Sequence, residues 1–171
     1  MIFVTVGTHE QQSNRLIAYV DRLKEAGVIQ EEVVIQTGFS TYEPQHCKWS
    51  KTFSYQQMLD YVSEARIVVT HGGPSSFFMP LVLGKIPIVV PRTQKFHEHV
   101  NDHQVHFCRQ LKERGAHIFV AETCREIKHY IRDYDEIVNS MSGGFLSHNE
   151  AFSAPVTIVL ADLIACVLFI S

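Results

Sequence analysis

Short runs of β-branched and apolar residues recur along the chain, separated by stretches in which apolar positions fall at helical spacing. The runs are Ile2–Val6, Val33–Thr37, Ile67–Thr70, Pro87–Val90 and His117–Val120. Near-continuous apolar strands of about five residues are what a parallel sheet covered on both faces requires. Between the first two runs, Leu16, Ile17, Val20 and Leu23 mark one face of a helix that Gly27 closes. Gly38 to Thr52 reads as a long loop, followed by a short helix carrying Met58, Leu59 and Val62. This alternation predicts an α/β fold, a single Rossmann-like, doubly wound parallel sheet with right-handed crossovers. No internal repeat or low-complexity linker interrupts it.

The pattern changes near the end. From Ala151 to Ser171 the only charged side chain is Asp162, and Pro155 to Ile170 is almost wholly apolar. A membrane-spanning helix needs roughly 20 apolar residues, so one acid and one proline leave this segment borderline. The chain therefore divides into a domain over residues 1–150 and a tail over 151–171. Packing on the domain, docking a partner and touching a membrane are all open to that tail.

A length of 171 residues suits one well-buried core. A net charge of -3 with scattered basic residues gives no reason to expect nucleic-acid binding. Cys47, Cys108, Cys124 and Cys166 form no CxxC pair, which fits a reducing cytoplasm better than a disulfide framework. Ile2–Val6 is too short for a signal-peptide core and lacks a basic flank, so the protein is expected to stay inside the cell.

Ligands of open α/β sheets bind beyond the carboxyl ends of the strands. There the sequence places Gly7-Thr8-His9-Glu10, Gln36-Thr37-Gly38, His71-Gly72-Gly73-Pro74-Ser75-Ser76, and Pro91-Arg92 followed by His97 to Gln104. The third segment is the most informative. Gly72 and Gly73 allow close approach of a ligand, Pro74 suits the first position of a helix, and Ser75 and Ser76 add hydroxyls beside backbone N–H groups. Together they make a helix N-terminus ready for an anion, most simply a diphosphate. Gly7-Thr8 is either a plain turn or a further source of N–H groups. A lone Gly7 is not the GxGxxG of dinucleotide folds, so nicotinamide and flavin cofactors are not expected.

His99, His103 and His106 would share one face of a helix, a spacing that permits a metal site. No HExxH arrangement accompanies them and no carboxylate or thiol shares that face, so no metal is expected. Asn101, Asp102 and Gln104 suit recognition of sugar hydroxyls.

Phe3-Val4-Thr5-Val6-Gly7-Thr8, the loop His71 to Ser76, Gly84-Lys85-Ile86-Pro87 and Asn101-Asp102-His103-Gln104 occur in order and at characteristic spacings. In this the chain resembles the C-terminal half of glycosyltransferases of family 28 over residues 1 to about 150. More closely, it resembles the small catalytic subunits of bacterial capsule and exopolysaccharide synthesis, and it is also similar to the catalytic subunit of the eukaryotic two-subunit UDP-GlcNAc transferase. The resemblance implies the donor-binding half of a GT-B enzyme, inverting and needing no cofactor. It implies UDP-galactose or UDP-GlcNAc as donor and a polyprenyl-diphosphate-linked sugar as acceptor. A membrane-anchored partner subunit would bring that acceptor and hold this chain at the inner face of the cell membrane.

By position, the diphosphate would lie on Gly7, Thr8, Gly72, Gly73, Ser75 and Ser76, beside His71. Uracil would lie near Tyr55, and the sugar on Asn101, Asp102, His103 and Gln104. A glutamate that grips the ribose in many relatives is replaced by Met79. His9 and Glu10 are the candidate catalytic bases within this chain, since a base must lie near the acceptor hydroxyl. Two other classes stay open: a non-catalytic nucleotide-sugar-binding subunit and a stand-alone enzyme acting on a nucleotide or phosphate ester.

Overall fold

The computed structural model describes residues 1–142. Six strands are β1 (Ile2–Thr5), β2 (Val33–Gln36), β3 (Lys48–Ser50), β4 (Ile67–His71), β5 (Ile88–Val90) and β6 (Phe119–Val120). Five helices are α1 (Asn14–Glu25), α2 (Tyr55–Glu64), α3 (Pro74–Val82), α4 (His103–Glu113) and α5 (Cys124–Ser142). All ladders are parallel, in the order β3-β2-β1-β4-β5-β6. The strand order reverses at β1, which pairs with both β2 and β4. The crevice above β1 and β4 is therefore the topological switch point, where this architecture binds ligands.

Side-chain alternation sends each strand's residues to two opposite cores. Ile2, Val4, Val33, Ile35, Ile67, Val69, Ile88 and Val90 pack with Leu16, Ile17 and Val20 of α1 and Ile127 and Ile131 of α5. On the other face Phe3, Val34 and Val68 meet Val62 of α2, while Val89 and Val120 meet Phe77 of α3 and Phe107 and Leu111 of α4. Burial of the sheet on both faces explains why its strands read as continuous apolar runs rather than as alternation.

The structure departs from the sequence reading in three places. The expected loop Gly38–Thr52 contains the edge strand β3, whose Lys48-Trp49-Ser50 is largely exposed and lacks the apolar signature of a central strand. Helix α5, nineteen residues long, follows β6 in a segment to which the sequence reading gave no element. His99 precedes α4, which starts at His103, so His99, His103 and His106 do not share a helical face. The expected domain boundary at 150 and the apolar tail 151–171 lie outside the described residues. No helix among the described residues is long and apolar enough to cross a membrane.

Candidate functional site at the strand ends

An open cavity of about 610 Å³ lies at the switch point, within the range of small-molecule sites, roughly 300–1,000 Å³. The loop after β1 contributes Gly7, Thr8 and His9, and the strand ends contribute Thr5, Gln36 and His71. Gly73, Ser75, Ser76 and Met79 come from the start of α3, Met58 and Val62 from α2, and Arg92 and Gln104 from the segment after β5. Met58, Val62 and Met79 form an apolar patch on the wall, while the start of α3 and the side toward Arg92 and Gln104 are polar.

His71 organises the α3 end. Its Nδ1 accepts a hydrogen bond from the Gly73 N–H at 2.9 Å, and its Nε2 lies 2.5 Å from Ser76 Oγ. Since Nδ1 accepts, we assign the proton of the neutral ring to Nε2, which donates to Ser76. Ser76 keeps its own O–H to donate elsewhere. Burial, reinforced by the charge of Arg92, pushes the His71 pKa down to about 3, so the ring is neutral at physiological pH. Gly73 is the N-cap and Pro74 opens the helix. Because the Gly73 amide is already bonded to His71 and proline has none, the Ser75 amide and the two serine hydroxyls are the first-turn donors open to a ligand.

Close approach fixes Gly7 and Gly72, among other glycines. Gly7 has φ +70°, and a Cβ there would stand 2.7 Å from His71 Nε2. A Cβ on Gly72 would meet Pro91 and the Cys108 sulfur at 3.0–3.1 Å. Gly72 therefore packs the loop against β5 and α4 and does not line the cavity.

Arg92 lies at the end of β5 and is 1% exposed. Its Nη2 donates to the carbonyls of Val6 at 2.8 Å and Gln11 at 3.0 Å, spanning the base of the loop that carries Gly7, Thr8 and His9. Its backbone N–H donates to Gln104 Oε1. The segment after β5 is clamped to α1 by a buried pair: Arg15 Nε and Nη2 each meet a Glu98 oxygen at 3.0 Å, and Glu98 also accepts from the Thr93 N–H.

His71, Gly73, Ser75, Ser76, Gly7, Thr8, His9 and Gln104 thus converge on one cavity. Glu10, Tyr55, Gly72, Asn101, Asp102 and His103 lie off its wall. Tyr55 opens α2 with its ring 72% exposed. Asn101 caps the His103 N–H, Asp102 accepts from the Gln94 N–H, and His103 stacks on Phe107, so these side chains shape the loop before α4. His9 stands 6.4 Å from His99, ring to ring. Among the described residues no group of His, Cys, Asp and Glu is placed to hold a metal ion. Thr5, Gln36 and Arg92 lie in segments that the sequence placed at strand ends but were given no role in the site. Their signal was position at strand ends, shared with residues of no evident chemistry.

A family model, the glycosyltransferase family 28 C-terminal domain, matches residues 1–142. No curated protein matches the chain significantly. Among solved structures, the spinosyn forosaminyltransferase SpnP superposes with a TM-score of 0.55 at 15% identity, covering 96% of this chain and 39% of that one. A glycotransferase of kitacinnamycin gives 0.52 at 14% identity, with 96% and 39% covered. At such identities these likenesses concern the fold, and this chain spans about two fifths of either enzyme's length. With a doubly wound sheet corresponding to the C-terminal half of GT-B glycosyltransferases, the chain belongs to the glycosyltransferase family 28 C-terminal domain family.

Proposed function

We propose that the switch-point cavity binds a nucleoside-diphosphate sugar, UDP-linked, and that this chain is the donor-binding, catalytic subunit of an inverting glycosyltransferase. The observation that carries this reading is the convergence, on one cavity, of the α3 N-terminus with its two serines, the positive-φ turn at Gly7 and the buried Arg92. Helix N-termini and fixed N–H donors favour a diphosphate. The apolar side formed by Met58, Val62 and Met79 suits the nucleoside, and the side with His9 and Gln104 suits a hydroxylated sugar.

In transfer, the acceptor hydroxyl attacks the anomeric carbon from the face opposite the diphosphate. The new C–O bond forms as the bond to the diphosphate oxygen breaks, inverting the centre. UDP leaves with the electron pair, and the acceptor proton passes to a base. The first-turn donors Ser75 and Ser76 offset the charge that develops on the leaving oxygen, without reorganising. His9 is on the cavity wall and Glu10 is not, so His9 is the base we favour within this chain.

One Rossmann-like domain supplies one wall of a GT-B cleft. We propose that the second wall belongs to a membrane-anchored subunit that presents a lipid-linked sugar in capsule or exopolysaccharide synthesis. Truncation after Glu150 should weaken that association. The test is transfer of labelled sugar from a panel of UDP-sugars to membranes containing the partner. Transfer that needs both chains and a UDP-sugar supports the reading; full-rate transfer by this chain alone contradicts the two-subunit part. Donor binding without transfer contradicts the catalytic part.

A further inference from the structure

Among the described residues, Arg92 is a buried cation without a carboxylate of its own. The acid that acts on it electrostatically is Glu98, itself 0% exposed, and both Glu98 oxygens are committed to Arg15. The Arg15–Glu98 pair is neutral as a unit, and the hydrogen-bond partners of Arg92 Nη2 are the carbonyls of Val6 and Gln11. Its Nε has no hydrogen-bond partner. Buried charges are ordinarily paired, because taking a lone cation out of water is costly. Burial accordingly lowers the Arg92 pKa from its usual value, with Glu98 opposing.

The charge is not remote from the anion end of the cavity. Arg92 lines that cavity together with Ser75 and Ser76, and its field is the second-largest cause of the lowered His71 pKa. His71 in turn holds Gly73 and Ser76 at the start of α3. The α3 N-terminus and the buried Arg92 therefore act on the same cavity, and the neutral His71 ring that Arg92 influences carries no charge to offset either.

We propose that Arg92 is the charge-reading residue of this site: its buried guanidinium is compensated by the diphosphate of the bound donor, and it makes affinity depend on ligand charge. The inference deepens the nucleotide reading above and rests on it. Through Val6 and Gln11, Arg92 also positions the loop bearing Gly7, Thr8 and His9. That role alone would affect charged and neutral ligands alike, so the two are separable.

The experiment titrates the chain with UDP and with uridine, by NMR so that weak binding is measurable, for the wild type, Arg92→Lys and Arg92→Gln. Arg92→Gln should weaken UDP on the order of tenfold to a hundredfold and uridine by less than about threefold, collapsing their ratio. Arg92→Lys keeps the charge and should retain most of the ratio. If Arg92→Gln does not fold, Arg92→Met, which buries no polar group in its place, is read the same way. An unchanged ratio, or equal losses for UDP and uridine, overturns the proposal while leaving the nucleotide reading intact. Failure of the wild type to bind UDP at all overturns both.

Discussion

Lowering the pH from 8 to 5 perturbs His71 in a calculable way. In the folded chain its pKa is pushed down to about 3, chiefly by burial, whereas an unfolded histidine titrates near 6.5. Between those values the unfolded chain binds a proton that the folded chain refuses. The stability His71 contributes is therefore fully present above pH 6.5 and is lost as pH falls toward 3. The linkage relation puts the loss at about 2 kcal/mol at pH 5 and about 3 kcal/mol at pH 4, a large share of a domain stability of ~5–15 kcal/mol. The carboxylates with lowered pKa, Asp21, Glu31, Glu32, Glu122 and Asp133, begin to contribute only near and below their unfolded values, so the window from pH 8 to 5 isolates histidine. His99, whose pKa is lowered by burial and by Arg92, acts in the same direction. The variant His71→Asn separates the two, since its Oδ1 can still accept from the Gly73 N–H but does not titrate. Urea unfolding at pH 8, 6 and 5 should show a wild-type loss about 2 kcal/mol larger than that of the variant. Parallel pH dependences in the two proteins would refute a neutral, buried His71 and with it the assignment of Ser76 as a donor held by Nε2–H.

Three other perturbations follow from the same geometry. Gly73→Val should abolish UDP binding measured by calorimetry while circular dichroism stays native-like: φ at Gly73 is ordinary, but a Cβ there falls 2.3 Å from His71 Cε1, so the branched residue displaces the ring that organises Ser76. Glu98→Ala should cost about 2–3 kcal/mol in urea unfolding, because the partly buried Arg15 loses its carboxylate and keeps only the Pro91 carbonyl, and the double change Arg15→Met with Glu98→Leu should cost less than Glu98→Ala alone. Transfer activity of the chain with its partner should be unchanged by EDTA; loss in EDTA and recovery with zinc would instead point to the histidines around His99.

The sheet was legible in the sequence because burial on both faces leaves β1, β2, β4 and β5 apolar up to their carboxyl ends, where Thr5, Gln36, Thr70 and His71 stand. The edge strand β3 was not, since Lys48 and Ser50 owe their conformation to pairing with β2 and carry no such pattern. At the site, glycine and serine after β4 announced a helix N-terminus, and they stand on the cavity wall. What they did not disclose was the economy of their donors: the Gly73 amide is spent on His71, and Gly72 is small because Pro91 and Cys108 leave no room. Asn101 and Asp102 read as sugar ligands by residue type, yet their side-chain oxygens cap neighbouring backbone. Arg92 stood in a strand-end segment without a role, because a basic residue after a strand is commonplace; its burial, and the lack of an acid of its own among the described residues, distinguish it.

The central claim, that the cavity above β1 and β4 holds a nucleoside diphosphate sugar, is tested most directly by titrating the chain calorimetrically with UDP, ADP and NAD. The account predicts that UDP binds most tightly and that Gly73→Val removes its heat signal. Preferred binding of NAD, or a UDP affinity untouched by Gly73→Val in a folded protein, would contradict it.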